Sequence, residues 1–153
     1  MYNHIKEIVA DSEKTGKPIS ELIIEQECQM SGLPREKVWN KMKYNLETMR
    51  DAVKKGRSGN GVFSSTGLTG GEAVKIKKYI EKGHTLSGDT IMTAVQNAVA
   101  TNEVNAAMGV ICATPTAGSS GTLPGVLFLL EKRLNLTEEQ MIHFLFTAGG
   151  FGM

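Results

Sequence analysis

Apolar residues recur along the chain at the three- and four-residue spacing of an amphipathic α-helix. The first such stripe opens at Ile5 and is ended by Lys17-Pro18, because the residue before a proline is disfavoured in helical geometry. A second stripe starts at Ile19 and stops near Gly32. We therefore expect two helices before Gly32.

The third stripe is the longest. It has Pro34 in its expected first turn and runs to Val53. Gly56 follows at a place where a left-handed residue often ends a helix, so we expect the helix to end there. After a glycine-rich stretch, a shorter stripe over 73–80 predicts a helix that is closed by Gly83.

The remaining stripes predict three further helices, two of which carry capping signals. Ser87 or Asp89 can cap the first of them. Thr137, with Gln140 three residues later, fits a capping box that opens the last helix. The stripes cover residues 91–99, 123–134 and 141–147. Because no strict alternation marks a β-hairpin, the sequence predicts an all-α fold, a multi-helix bundle.

Glycine is the one unusual feature of the composition. It accounts for 17 of the 153 residues, against a usual share of about 7%. The glycines cluster at 56–71, 113–121 and 149–152, between helical stripes or at the end of one. The first cluster contains SSTGLTGG and the second reads ATPTAGSSG, each ahead of a predicted helix. We therefore expect glycine-rich loops at helix N-termini.

Charge and cysteine content exclude several classes of protein. The 17 basic and 16 acidic residues give a net charge of +1, which argues against a strongly basic nucleic-acid binder. No apolar run approaches the roughly 20 residues of a membrane helix, and the N-terminus lacks the order of a signal peptide. Cys28 and Cys112 are too few and too far apart for a disulfide framework, which favours reduced thiols in a cytoplasmic protein.

The ATPTAGSSG loop directly precedes an apolar helix, whose N-terminal N–H groups and partial positive charge suit a carboxylate or a phosphate. Gly118 and Gly121 would let the backbone approach such a ligand closely. A plain loop with a helix cap is the alternative, and SSTGLTGG has the same features in weaker form, with a flexible linker as its alternative. The hydroxyl donors here are Thr114, Thr116, Ser119, Ser120 and Thr122.

Two asparagines lie just upstream of this loop. Asn102 and Asn105 are three residues apart and so share one helix face. Asparagine is a poor residue within a helix and is usually there for a hydrogen bond. Both are candidates for the same site, and a helix bend or a contact between helices is the alternative.

Histidines and cysteines form no metal-binding pattern. His4, His84 and His143 are scattered, without a second His or Cys at ligand spacing. Cys112 directly precedes the glycine-rich loop and is nearer to the candidate site than Cys28, although a buried, small hydrophobic role is the alternative. The sequence therefore predicts no metal ligands in this chain.

The stretches ATNEVNAAMG and CATPTAGSSGTLPG carry a family resemblance. With the surrounding sequence they resemble the α chain of bacterial iron–sulfur-dependent L-serine dehydratases, also called L-serine ammonia-lyases. The resemblance covers essentially all 153 residues. It implies that the chain is part of a lyase that converts L-serine to pyruvate and ammonia.

One departure from the family concerns the cluster. Family α chains continue past TAGGFG into a segment whose cysteines ligate a [4Fe–4S] cluster, whereas this sequence stops at Met153. We therefore expect an amino-terminal fragment of a larger helical catalytic domain, inactive alone, with the cluster ligands outside it. The resemblance divides it into a helical lead-in over 1–56, a Gly/Ser-rich loop over 57–71 and substrate-side helices over 72–153.

The resemblance also implies a mechanism. A cluster iron binds the serine hydroxyl as a Lewis acid while a base removes the α-proton, without pyridoxal phosphate. The base is not identified in this chain, whose expected role is to shape the substrate pocket. The expected substrate-binding residues are Asn102, Asn105, Thr114, Thr116, Gly118, Ser119 and Ser120.

The resemblance implies a serine dehydratase β chain or β domain as partner, a homo-oligomeric assembly, and neither nucleic acid nor membrane. Two other functions remain open from the residues. One is a non-catalytic helical module that binds a small carboxylate or phosphate, and the other is a purely structural interaction domain. A preference for serine over threonine is not decided, because one methyl group is worth only about 1–3 kcal/mol of discrimination.

Overall fold

The computed structural model describes residues 2, 4–113 and 120–152. Within these ranges it contains seven α-helices and no strand, which confirms the predicted all-α class. None of these helices combines the length and the apolar character that crossing a bilayer requires. The helices are α1 (Ile5–Thr15), α2 (Ile19–Ser31), α3 (Arg35–Gly56), α4 (Glu72–Glu81), α5 (Gly88–Ala106), α6 (Thr122–Leu134) and α7 (Glu138–Phe151).

The chain forms two compact units. The first, unit 1, consists of Met1–Leu46 and Thr137–Met153, and the second, unit 2, of Glu47–Leu136. Unit 1 contains α1, α2, α7 and the first part of α3, whereas unit 2 contains the last part of α3 with α4, α5 and α6.

Local signals set the helix ends of unit 1. Gly16 and Gly32 end α1 and α2 in the left-handed conformation, at φ of 69° and 65°. At the start of α7, the Thr137 hydroxyl accepts from the Gln140 backbone N–H at 3.2 Å, and the Gln140 side chain accepts from the Thr137 N–H at 2.9 Å. The predicted capping box is confirmed.

The core of unit 1 is apolar, and α2 packs against α7. The last helix runs to Phe151, beyond the predicted end near Thr147, and passes through Gly149 and Gly150. A Cβ added at Gly150 would lie 2.6 Å from Ile23 Cδ1, so the glycine permits close packing against α2. The buried apolar side chains of unit 1 are Ile8, Leu22, Ile23, Ile24, Val38, Leu46, Met141, Ile142, Leu145 and Phe146.

In unit 2, α5 packs against both α4 and α6. Helix α3 ends at Gly56, as predicted, but the left-handed conformation expected there is wrong, because φ first becomes positive after α3 at Gly59. A Cβ at Gly56 would lie 2.4 Å from the Ala100 carbonyl oxygen. The glycine is therefore required by a close contact between α3 and α5, which a local pattern does not reveal.

The same close packing occurs between α6 and α5. Cβ atoms added at Gly121 and Gly125 would lie 2.5 Å and 2.8 Å from the carbonyl oxygens of Ala98 and Ala94. Gly121 and Gly125 are four residues apart, as are the two alanines, so two small-residue faces pack together. The close approach that Gly121 permits is therefore an approach to a helix.

The glycine-rich stretch before α4 forms a closed turn. Phe63 and Gly70 form an isolated antiparallel bridge, and the Ser64 N–H donates to the Thr69 carbonyl at 2.9 Å. Gly70 has φ of 132°, a conformation that other residues rarely adopt. A single bridge without alternating flanks explains why the sequence shows no hairpin signal.

Candidate functional site

Helix α5 carries most of the buried polar side chains of unit 2. Gln96, Asn97, Thr101 and Glu103 are each at most 5% exposed. Burying polar groups in a small core costs free energy unless they are hydrogen-bonded. Their partners therefore show what this helix holds in place.

The amide side chains of α5 connect it to both neighbouring helices. Gln96 Nε2 donates to the Ala73 carbonyl in the first turn of α4, at 3.0 Å. Asn97 Nδ2 donates to the Gly125 carbonyl of α6 at 3.3 Å, and its Oδ1 accepts from Arg57 Nη1 at 2.8 Å. Adjacent residues of one helix thus fix the positions of α4, α6 and the Arg57 side chain.

Glu103 holds the N-terminus of α4. Its Oε1 accepts from the backbone N–H groups of Glu72 and Ala73. These are unpaired donors at a helix start, so Glu103 acts as a cap supplied by another helix. The glycine-rich turn reaches the same point, because the Gly70 N–H donates to the Glu72 side chain at 2.9 Å.

Glu103 has an unusual electrostatic environment. Burial, with a contribution from the neighbouring Glu72 carboxylate, raises the pKa of Glu103 to about 7, against the opposing effect of the two backbone amides. The pKa of Glu72 is lowered, first by the hydrogen bond with Glu103. Glu103 Oε2 is buried and has no hydrogen-bond partner among the described residues. Of the two carboxyl groups, Glu103 is therefore the one that keeps its proton to higher pH.

A carboxyl group that titrates near neutral pH can hold or release a proton under physiological conditions. The sequence reasoning missed Glu103, which was not among the candidate residues. The available signal was its spacing, because Glu103 follows buried Gln96 and Ala100 at the seven- and three-residue intervals of one helix face. A charged residue on a buried face indicates a specific partner.

The structure places only some of the predicted substrate-binding residues. Asn102 and Asn105 lie on α5, as expected, and both side chains are exposed. Ser120 is fully buried just before α6. Their predicted contacts with a substrate stay a prediction. The predicted residues Thr114, Thr116, Gly118 and Ser119 lie outside the described residues.

The described residues contain no group of three or more His, Cys, Asp or Glu side chains that could hold a metal ion. Both cysteines are half-buried, and neither forms a disulfide. Burial raises the pKa of the Cys112 thiol, which favours the protonated form, whereas a metal ligand is a thiolate. Two cysteines are also too few for the Cys₄ ligand set of an iron–sulfur cluster.

Unit 1 has a separate polar cluster around His143. The Nδ1 of His143 lies 3.0 Å from Ser20 Oγ, and its Nε2 lies 3.8 Å from Glu21 Oε1. The His143 ring meets Trp39 edge-on, with centroids 5.1 Å apart. Ser20 is buried, and Arg35 holds Glu21 through two hydrogen bonds of 2.6 Å and 2.8 Å. These contacts link α7 to α2 and α2 to α3.

Comparison with known proteins identifies the family. The family described as serine dehydratase alpha chain matches residues 14–153. The chain belongs to the serine dehydratase alpha chain family. No solved structure matches it.

Relatives in this family have informative names. A probable L-serine dehydratase alpha chain of Bacillus subtilis is 52% identical over 152 residues, which cover 99% of this chain and 50% of the relative. The L-serine dehydratase alpha chain of Peptoniphilus asaccharolyticus is 30% identical over 152 residues, 99% of this chain and 52% of the relative. A probable alpha chain of Latilactobacillus sakei is 63% identical over 65 residues, 42% of this chain and 31% of the relative.

The two relatives that align with 99% of this chain are about twice as long, so this member of the serine dehydratase alpha chain family spans about half of their length. The buried polar network of α5 lies inside the matched region.

Proposed function

We propose that this chain is the substrate-side helical part of an L-serine ammonia-lyase, which converts L-serine to pyruvate and ammonia. The observation that carries the proposal is the family match over residues 14–153. The names of the relatives supply the substrate and the reaction class.

In this proposal the chain positions the substrate. The hydroxyls of the 113–121 loop and the amides of Asn102 and Asn105 hold polar groups of serine in one orientation. Exposure of both asparagines supports their availability to a ligand. Fixed orientation of reacting groups can contribute several kcal/mol to catalysis, so small hydroxyl side chains suffice for this role.

Glu103 is a positioning residue in the same proposal. It fixes the first turn of α4 and, through Glu72, the end of the glycine-rich turn. Because Gln96 ties α5 to the same turn, the helix that carries Asn102 and Asn105 is held firmly.

The proposed enzyme uses a [4Fe–4S] cluster and no pyridoxal phosphate. The two cysteines of this chain, Cys28 and Cys112, are too few for the cluster's Cys₄ ligand set. The cluster ligands are therefore assigned to a part of the enzyme outside this chain. The catalytic base is assigned outside this chain as well.

The proposed enzyme works in the cytoplasm as a homo-oligomer with a β chain or β domain as partner. The term alpha chain in the names of the relatives supports a second kind of chain. Nucleic acid and membrane have no role in the proposal.

The test uses the complete natural enzyme, assembled with its partner and assayed anaerobically for pyruvate from L-serine. We expect Thr116→Ala and Ser119→Ala each to lower kcat/KM by roughly 10–100-fold, because each removes a positioned hydrogen bond. Ser31→Ala is the control, since Ser31 is an exposed hydroxyl at the end of α2.

Two results would contradict the proposal in different ways. Unchanged kcat/KM in both loop variants would remove the loop from the substrate site. An assembled, iron-replete enzyme that makes no pyruvate from L-serine would overturn the proposed reaction.

A further inference from the structure

Two helix faces in unit 2 enclose a basic pocket. One side consists of the last part of α3 with the two residues that follow it, and the other side is one face of α6. The pocket has a volume of about 300 Å³. The lining residues are Arg50, Val53, Lys54, Arg57, Ser58, Phe128, Glu131 and Lys132.

The charges of this pocket do not balance. Its single acid, Glu131, is held by Arg50 at 2.8 Å, and the Arg50 guanidinium also lies over the Phe128 ring, 4.9 Å from the centroid. Lys54, Arg57 and Lys132 form no salt bridge within the described residues. A surplus of three positive charges thus lines one small cavity.

Arg57 is the most constrained of these cations. Its half-buried guanidinium donates to a neutral amide oxygen, that of Asn97, at 2.8 Å. Asn97 is 1% exposed and is held in turn by the Gly125 carbonyl. The guanidinium is therefore fixed in direction, and burial lowers the pKa of Arg57 because the charged form loses solvation. An anion would restore the lost stabilisation.

The character of the lining limits which anion fits. Three cations that form no salt bridge within the described residues favour a ligand with two negative charges over a monoanion. Arg and Lys side chains are typical phosphate ligands. An amino acid is disfavoured, because its ammonium group would face the cations while Glu131 is already paired with Arg50. Buried Val53 and Phe128 provide an apolar surface for a short carbon chain.

We propose that this pocket between α3 and α6 binds a small phosphate monoester. The phosphate contacts Arg57, Lys54 and Lys132, and the carbon chain lies on Val53 and Phe128. None of the residues that line the pocket belongs to the proposed serine-binding loop. It does not rest on the proposed reaction, because binding is measured without serine.

The test is calorimetric titration of the complete natural protein with glycerol 3-phosphate at low ionic strength, where screening is weak. We expect binding that weakens by about tenfold or more in Arg57→Gln and in Lys132→Glu, since each removes a charge-assisted contact. Lys55→Gln is the matched control, because Lys55 neighbours the pocket on α3 but does not line it. It should bind like the natural protein.

Lys54→Gln tests whether weaker binding is caused by misfolding. Because Lys54 is exposed, this variant should weaken binding while leaving the melting temperature unchanged. Tighter binding of glycerol 3-phosphate than of inorganic phosphate would support the apolar contact. The proposal is overturned if no binding is detected, if the pocket variants and Lys55→Gln weaken binding equally, or if citrate binds and glycerol 3-phosphate does not.

Discussion

The two units treat a glutamate on a helix in opposite ways. In unit 1, Glu21 lies beside Arg35, and the hydrogen bond with that guanidinium lowers the pKa of Glu21. In unit 2, Glu103 lies beside another carboxylate and is buried, and its pKa rises to about 7. A glutamate is thus paired with an arginine in one unit, whereas in the other unit it is a buried carboxyl group with a raised pKa. Because both residues lie on α-helices, the neighbouring groups set the direction of each pKa shift.

Individual glycines also serve two different needs. A Cβ added at Gly16 or Gly32, which end helices in unit 1, would meet nothing within 4 Å. Cβ atoms at Gly56 and Gly125 in unit 2 would meet backbone atoms of α5 at less than 3 Å. Glycine is needed for backbone conformation in the first case and for space in the second.

The largest expected effect comes from filling the space at Gly125. Gly125→Leu should lower the free energy of unfolding by about 3 kcal/mol, because its Cβ would lie 2.8 Å from the Ala94 carbonyl oxygen. Chemical denaturation of the natural protein and the variant measures the change.

Gly149→Leu in α7 is the matched control, since a Cβ there meets nothing within 4 Å. It should change the free energy of unfolding little, or raise it slightly through helix propensity. Equal losses at Gly125 and Gly149 would contradict the distinction between a tightly packed glycine and one with open space beside it.

An intermediate effect is expected at Glu103. Glu103→Ala should cost about 2 kcal/mol of unfolding free energy, because it leaves two backbone donors of α4 without their acceptor. Glu103→Gln should cost much less at neutral pH, since an amide resembles the protonated carboxyl group and keeps an acceptor oxygen. Denaturation at pH 5 and pH 8 compares the two variants.

The pH dependence of stability follows from the direction of the shift. The folded protein holds the Glu103 proton between the ordinary pKa of 4.5 and about 7, whereas the unfolded chain has lost it. This contribution is therefore present below pH 4.5 and is lost as the pH rises to about 7, with a slope of at most about 1.4 kcal/mol per pH unit. Glu103→Gln should remove this slope, and an unchanged slope would contradict the assignment of the proton.

The smallest effect is expected in unit 1. Arg35→Ala should lower the free energy of unfolding by at most about 1 kcal/mol, because Arg35 is half-exposed and surface ion pairs contribute little. The lowered pKa of Glu21 means that its contribution is present above the ordinary value of 4.5 and is lost as the pH falls below it. Denaturation across acid pH should show this dependence weaken in Arg35→Ala. A loss larger than that of Glu103→Ala would reverse the comparison.

Prediction from sequence succeeded where the signal was local. Gly32 and the Thr137–Gln140 capping box mark helix ends through contacts within a few residues, and both were found at their expected places. The left-handed conformation expected at Gly56 was wrong, because this glycine is required by a contact with Ala100 on another helix.

The candidate site divides along similar lines. The family and the placement of Asn102 and Asn105 on one helix face followed from residue patterns and resemblance. The role of Glu103 did not, because a glutamate on a helix is usually solvated, and its spacing on a buried face does not show which group it caps.

The sequence by itself determined the helices, most of their ends and the family, since hydrophobic periodicity and capping depend on residues close together in the chain. Only the tertiary structure decided which glycines provide space and which carboxyl group keeps its proton. It also decided that Arg57 has a neutral partner in Asn97. These properties depend on desolvation and on neighbours from other helices, which only the packed chain supplies.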